Sequence, residues 1–133
     1  MSTSKGISPD EAADLMTLFG QAFVSADAAK LADCLADDFL WHLHEGPDTP
    51  HGKTVAGVEG MLEVMKYRRE NWKDVRYTDV RVSTDGSLIT QTFRVSGTDE
   101  KGRAFDVRAV DLYPVENGKL QAKDSYWKNV DRV

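Results

Sequence analysis

The pair Asn117-Gly118, set between two long extended runs, constrains this chain more than any other feature. Both residues tolerate the positive φ angles of a two-residue hairpin turn, so residues 104–115 and 119–130 are predicted to pair as antiparallel strands. A strand alternates its side chains, which places Phe105, Val107, Ala109, Asp111, Tyr113 and Val115 on one side of the first run. Asp111 is the only charge there. A carboxylate among aromatic and β-branched neighbours loses hydration, so it must be paired, be protonated or face a cavity. Its bland explanation is an ion pair with Arg94 or Arg108, or a hydrogen bond to Tyr126 or Trp127. Its functional explanation is contact with a ligand.

The preceding chain supplies helices to cover such a sheet. Ser8-Pro9-Asp10-Glu11 carries a capping box, with proline at the first helical position. Ala12, Leu15, Met16, Phe19, Ala22, Phe23 and Ala26 follow as one apolar stripe. Asp27 can cap a second short helix through Leu31 and Leu35, ending near Asp37-Asp38. Residues 39–44 alternate as a strand, residues 45–52 hold two glycines and two prolines and read as a loop, and a third helix is expected over about residues 57–71. Residues 75–84 are extended with a change of apolar parity between Tyr77 and Val80, the mark of a bulge. Residues 87–98 form the next strand. The expected fold is α+β: a cone-shaped barrel of strongly curved antiparallel sheet covered by three N-terminal helices. Residues 1–7 read as a flexible leader and residues 8–133 as one domain. A cone with an open end is a ready pocket for a small apolar molecule.

Composition narrows the partners. The formal net charge of the 133 residues is -5 with no long basic run, which argues against nucleic acid and anionic membrane surfaces. No apolar run approaches the roughly 20 residues a membrane span needs. Cys34 is the single cysteine, and with no charged-then-apolar leader the expected compartment is the reducing cytoplasm. The thiol has Asp33 and Asp37 nearby and no cation to activate it, so it reads as a packing residue.

Several stretches together resemble the nuclear transport factor 2-like superfamily, in its SnoaL-like and ketosteroid-isomerase-like branch. They are the Asp27 junction, Ala36-Asp37-Asp38-Phe39, Val55-Ala56-Gly57-Val58-Glu59-Gly60, and Val110-Asp111-Leu112-Tyr113 leading to Asn117-Gly118-Lys119-Leu120. The resemblance implies the cone fold and a homodimer through the exposed sheet face, where Val110 and Leu112 lie. Its members include isomerases, cyclases, epoxide hydrolases, dehydratases and binding modules, so it fixes no chemistry. Asp111 falls where ketosteroid isomerase holds a neutral, oxyanion-stabilising aspartate. That enzyme's base and tyrosine positions match Leu43 and Phe19, which cannot do their work. The catalytic aspartate of the cyclase branch matches Ser125, with Asp124 one residue away and on the opposite face unless a bulge intervenes.

The expected site therefore combines Asp111 as acid or oxyanion partner with His42 or His44 as proton acceptor, the histidine pKa lying near neutrality. Phe19, Trp41, Leu43, Met61, Met65, Phe93, Tyr113, Ser125 and Trp127 are expected as pocket lining. No metal or cofactor is expected: His42 and His44 alternate away from Phe39, Trp41 and Leu43, and Gly52-Lys53-Thr54 lacks the first glycine of a phosphate loop. Three functions remain open at this point. They are an enzyme of the isomerase, cyclase or hydratase/hydrolase type acting on a small apolar carbonyl compound, a non-catalytic carrier or sensor, and a dimeric scaffold.

Overall fold

The computed structural model describes residues 6–130. Residues 1–5 of the expected leader and residues 131–133 lie outside the described residues. Helix α1 spans Pro9–Ser25, and its start is the expected capping box: the Glu11 amide donates to Ser8 Oγ and the Ser8 amide to Glu11 Oε1, each at 3.1 Å. Just before it, the Ile7 amide donates to the Gly86 carbonyl, and the Ile7 side chain packs on the core. Helix α2, Ala28–Cys34, is capped by Asp27, whose Oδ1 accepts from the Lys30 amide. It stops before the expected Asp37-Asp38 because Leu35 is already paired with Leu120 as the first residue of strand β1, Leu35–His42.

A short strand β2, Thr54–Ala56, leads into α3, Gly57–Asn71, and four long strands follow: β3 Lys73–Asp85, β4 Leu88–Thr98, β5 Ala104–Glu116 and β6 Lys119–Trp127. They form one six-stranded curled sheet in the order β2-β1-β6-β5-β4-β3. The β5–β6 turn places Asn117 at φ 53° and Gly118 at φ 76°, as the hairpin requires. The expected bulge in β3 is a register shift between Thr78 and Arg81, with Asp79 at φ 54°. One pairing departs from a meander: β1 runs parallel to β6, with Trp41 opposite Lys123. The sheet is therefore mixed, and β6 is an interior strand. Hairpin signals report only sequential neighbours, so this long-range pairing left no local mark.

The three helices cover one half of the concave face. There Met16, Phe19, Leu31, Phe39, Met61 and Met65 close over Ile89, Tyr113, Val115 and Leu120 in one buried cluster. A second cluster, of Trp72, Phe93, Val95, Phe105, Val107 and Ala109, fills the other half. No helix among the described residues is long and apolar enough to cross a membrane.

Candidate functional site

Between these clusters the apolar pattern breaks on three adjacent strands at the same level. On β5, Ala109 belongs to one cluster and Tyr113 to the other, with Asp111 between them; on β4, Gln91 separates Phe93 from Ile89. Gln91 and Ser125 are the cross-strand partners of Asp111, so Gln91, Asp111 and Ser125 form a polar row across the sheet. The row lies on a cavity of about 450 Å³ under α1, whose apolar wall includes Phe23, Trp41, Phe93 and Trp127. Tyr77, Val80 and Val82 of the exposed strand β3 complete its lining.

Asp111 is 1% exposed, and its partner is Lys123. The Lys123 ammonium donates to Asp111 Oδ2 at 2.7 Å and to the Tyr113 hydroxyl at 2.8 Å, while that hydroxyl donates to the same Oδ2 at 3.2 Å. Asp111 Oδ1 has no hydrogen-bond partner among the described residues. Rings of Phe19, Phe23, Trp41 and Tyr113 surround the ammonium, with centroids 5.2–6.0 Å away. Burial pulls Lys123 below the ordinary lysine value, with Asp111 opposing the shift. Burial, then the Asp111 charge, push the Tyr113 hydroxyl well above the usual tyrosine value, so it stays protonated. The arrangement is an ion pair capped by a phenol, so Asp111 is not the lone acid that the ketosteroid-isomerase resemblance implies.

Lys123 was not among the residues expected from the sequence. Between Leu120 and Asp124 four steps of β6 face three steps of β5, from Val115 to Leu112. This bulge puts Lys123, Ser125 and Trp127 on the cavity side. It leaves Asp124 outside, accepting from the Tyr126 hydroxyl at 2.8 Å. One signal was available: Ser125 and Trp127 had been assigned to the pocket, and Lys123 shares their parity. The partners suggested for Asp111 are engaged elsewhere, Arg94 with Asp106 and Arg108 with Asp79.

The other expected residues divide. Trp41, Phe93, Ser125 and Trp127 line the cavity, and Trp41 Nε1 donates to Ser125 Oγ at 3.0 Å. Tyr113 reaches the site through its hydroxyl, and Phe19 packs edge-on against the Tyr113 ring at 5.7 Å. Met61 and Met65 are core residues, and Leu43 lines a second cavity beyond Arg68. The histidines do not reach the acid–base pair. His42 alternates away from Trp41, stacks on His51 and meets Thr54 Oγ1 at 2.7 Å. His44 lies past the end of β1, where alternation no longer holds, and stacks flat on Trp127 at 3.7 Å. Burial, then the Arg68 charge, lower its pKa to about 3, which makes it too weak a base for neutral pH. No group of three or more His, Cys, Asp or Glu side chains among the described residues is placed to hold a metal ion.

The SnoaL-like domain matches residues 17–122 of the chain. No curated protein matches it. Among solved structures, an NTF2-like protein from Burkholderia xenovorans LB400 superposes with a TM-score of 0.76 at 18% identity, covering 92% of this chain and 93% of the other. A protein provisionally described as a SnoaL-like polyketide cyclase, from Jannaschia sp. CCS1, gives 0.72 at 15% identity over 92% and 90%. TsrD from Streptomyces laurentii gives 0.68 at 19% identity over 92% and 91%. These likenesses establish the fold.

Proposed function

The chain belongs to the SnoaL-like domain family, and from that premise we propose that its cone binds a small apolar carbonyl compound and moves a proton on it by acid–base catalysis of the isomerase or cyclase type. One observation carries this reading. Asp111 lines an apolar cavity and has one oxygen fixed by Lys123 and Tyr113, while its other oxygen is buried with no hydrogen-bond partner among the described residues. A carboxylate held in this way is oriented as a proton acceptor. In the proposed step a C–H bond beside the ligand's carbonyl breaks and its proton passes to Asp111 Oδ1. The electron pair moves to the carbonyl oxygen, which the remaining N–H of the Lys123 ammonium stabilises. Return of the proton to another carbon completes an isomerisation, and attack of the enolate on a second carbonyl would close a ring. The structural neighbour provisionally described as a polyketide cyclase supports this class of chemistry.

A thermal-shift screen of wild type and Asp111→Asn against small aromatic, terpenoid and steroid-like ketones tests the reading, with hits followed by NMR for exchange of α-hydrogens in D₂O. Ligands raise the melting temperature by mass action. Hits whose α-hydrogens exchange with wild type and not with Asp111→Asn support catalysis. Hits without exchange would make the protein a carrier, and no hits would leave Asp111 a structural residue.

We further propose that the protein acts in the cytoplasm as a homodimer through the outer sheet face, where Val110 and Leu112 are half-buried and Tyr126 is exposed. Sedimentation of wild type as a monomer at micromolar concentration would remove the dimer.

A further inference from the structure

Arg68 is a half-buried cation in the cavity wall, and among the described residues no carboxylate is ion-paired with it. It projects from α3 so that its guanidinium carbon lies 5.1 Å from the ring centroid of Trp41, 4.7 Å from that of Trp72 and 5.4 Å from that of Trp127. These cation–π contacts hold the group but leave its charge in place. Burial works against that charge, while a side-chain hydrogen bond with Tyr77 and the nearby Asp111 and Glu45 favour it; no salt bridge joins either of these carboxylates to Arg68. The cavity's one carboxylate, Asp111, is taken by Lys123. Among the described residues lining this cavity two cations therefore face one anion, and a neutral ligand filling the space would strip water from a guanidinium that has no carboxylate of its own.

Building on the reading of this cavity as a ligand site, we infer that its ligand carries a carboxylate, and that Arg68 receives it and sets specificity. A guanidinium presents paired N–H donors that match a carboxylate in a fork, a match an ammonium cannot make. The apolar body of the ligand then rests on Phe23 and Phe93, and its carbonyl meets Asp111 and Lys123. The ligand class is a keto acid with a one- or two-ring body, which a cavity of about 450 Å³ can hold. Arg68 also borders the second cavity, but there Glu45, Glu63 and Glu100 outnumber Lys53 and disfavour anions. Electrostatics thus assign the carboxylate to the α1 side.

Calorimetric titration of wild type, Arg68→Lys and Arg68→Met with 2-naphthoate and with its neutral isostere 2-naphthamide tests the inference. The wild type should prefer the carboxylate by about tenfold to hundredfold, the range expected of charge-assisted hydrogen bonds. The preference should shrink with added salt, survive partly in Arg68→Lys and vanish in Arg68→Met. The wild-type comparison stands even if a variant fails to fold. Equal affinity for the two probes, a preference that persists in a folded Arg68→Met, or no binding of either probe would overturn it. Because the proposed catalysis is judged separately by α-hydrogen exchange on ketones both with and without a carboxylate, the carboxylate can be refuted while that catalysis stands, and the reverse.

Discussion

The two halves of the concave face are built differently. In the first, α1, α2 and α3 lay Met16, Phe19, Leu31, Met61 and Met65 on the sheet, and each of these side chains is buried. In the second the core is built largely of rings: Trp72 packs on Phe105 at 5.3 Å, and Trp127 lies within 6.0 Å of both. Arg68 lies over both indoles, and His44 stacks on that of Trp127. Helices supply close-packed aliphatic layers, whereas edge-on rings of fixed shape leave gaps. The cavity opens along the boundary between the two halves, and the polar row of Asp111 runs along it.

Removing one partner of the buried ion pair tests that boundary most severely. Lys123→Met leaves the Asp111 carboxylate buried and uncompensated, which should cost about 3–5 kcal/mol in urea unfolding. Asp111→Leu combined with Lys123→Met should recover most of that stability, because a matched apolar pair can replace a buried ion pair. If Lys123→Met alone were neutral, the cavity would be wet enough for water to replace the ammonium.

Truncation sharpens the contrast between the halves. Met61→Ala opens a hole in the enclosed half and should cost about 2–5 kcal/mol. Phe93→Ala removes more carbon, yet it only enlarges an existing cavity and should cost less than about 3 kcal/mol. Equal or reversed losses in chemical denaturation would mean that the two halves are packed alike.

Acid separates the halves by a smaller amount. His44 has a folded pKa of about 3 against an ordinary 6.5, so below pH 6.5 the unfolded chain binds a proton that the folded chain does not. Stability therefore falls as the pH drops from 6.5 toward 3, and by pH 5 the loss from this residue should reach about 2 kcal/mol. His44→Phe keeps a ring on Trp127 and should remove that part of the acid sensitivity in thermal melts between pH 7 and pH 5. An unchanged pH profile would show that His44 can reach water when charged.

The fold was legible where the physics is local. Capping at Ser8 and Asp27, the stripe of α1, the bulge near Asp79 and the turn at Asn117-Gly118 each depend on a few neighbouring residues. The isolation of Asp111 on an apolar face could also be read, because alternation along β5 is unbroken. Strand β2 was missed because three residues carry no period, and the place of His44 could not be read because β1 ends at His42.

By itself the sequence determined an α+β cone of helices on a curled sheet, and a single acid on the concave side of β5. Those follow from dihedral preferences and periodicity, which act over a few residues. Only the tertiary structure decided what that acid meets. The bulge in β6 turns Lys123 inward, the parallel pairing of β1 with β6 brings Trp41 beside it, and α3 carries Arg68 to the same cavity. Each depends on contacts between residues distant in the chain, and the charges that result are set by burial, which exists only once the chain has folded.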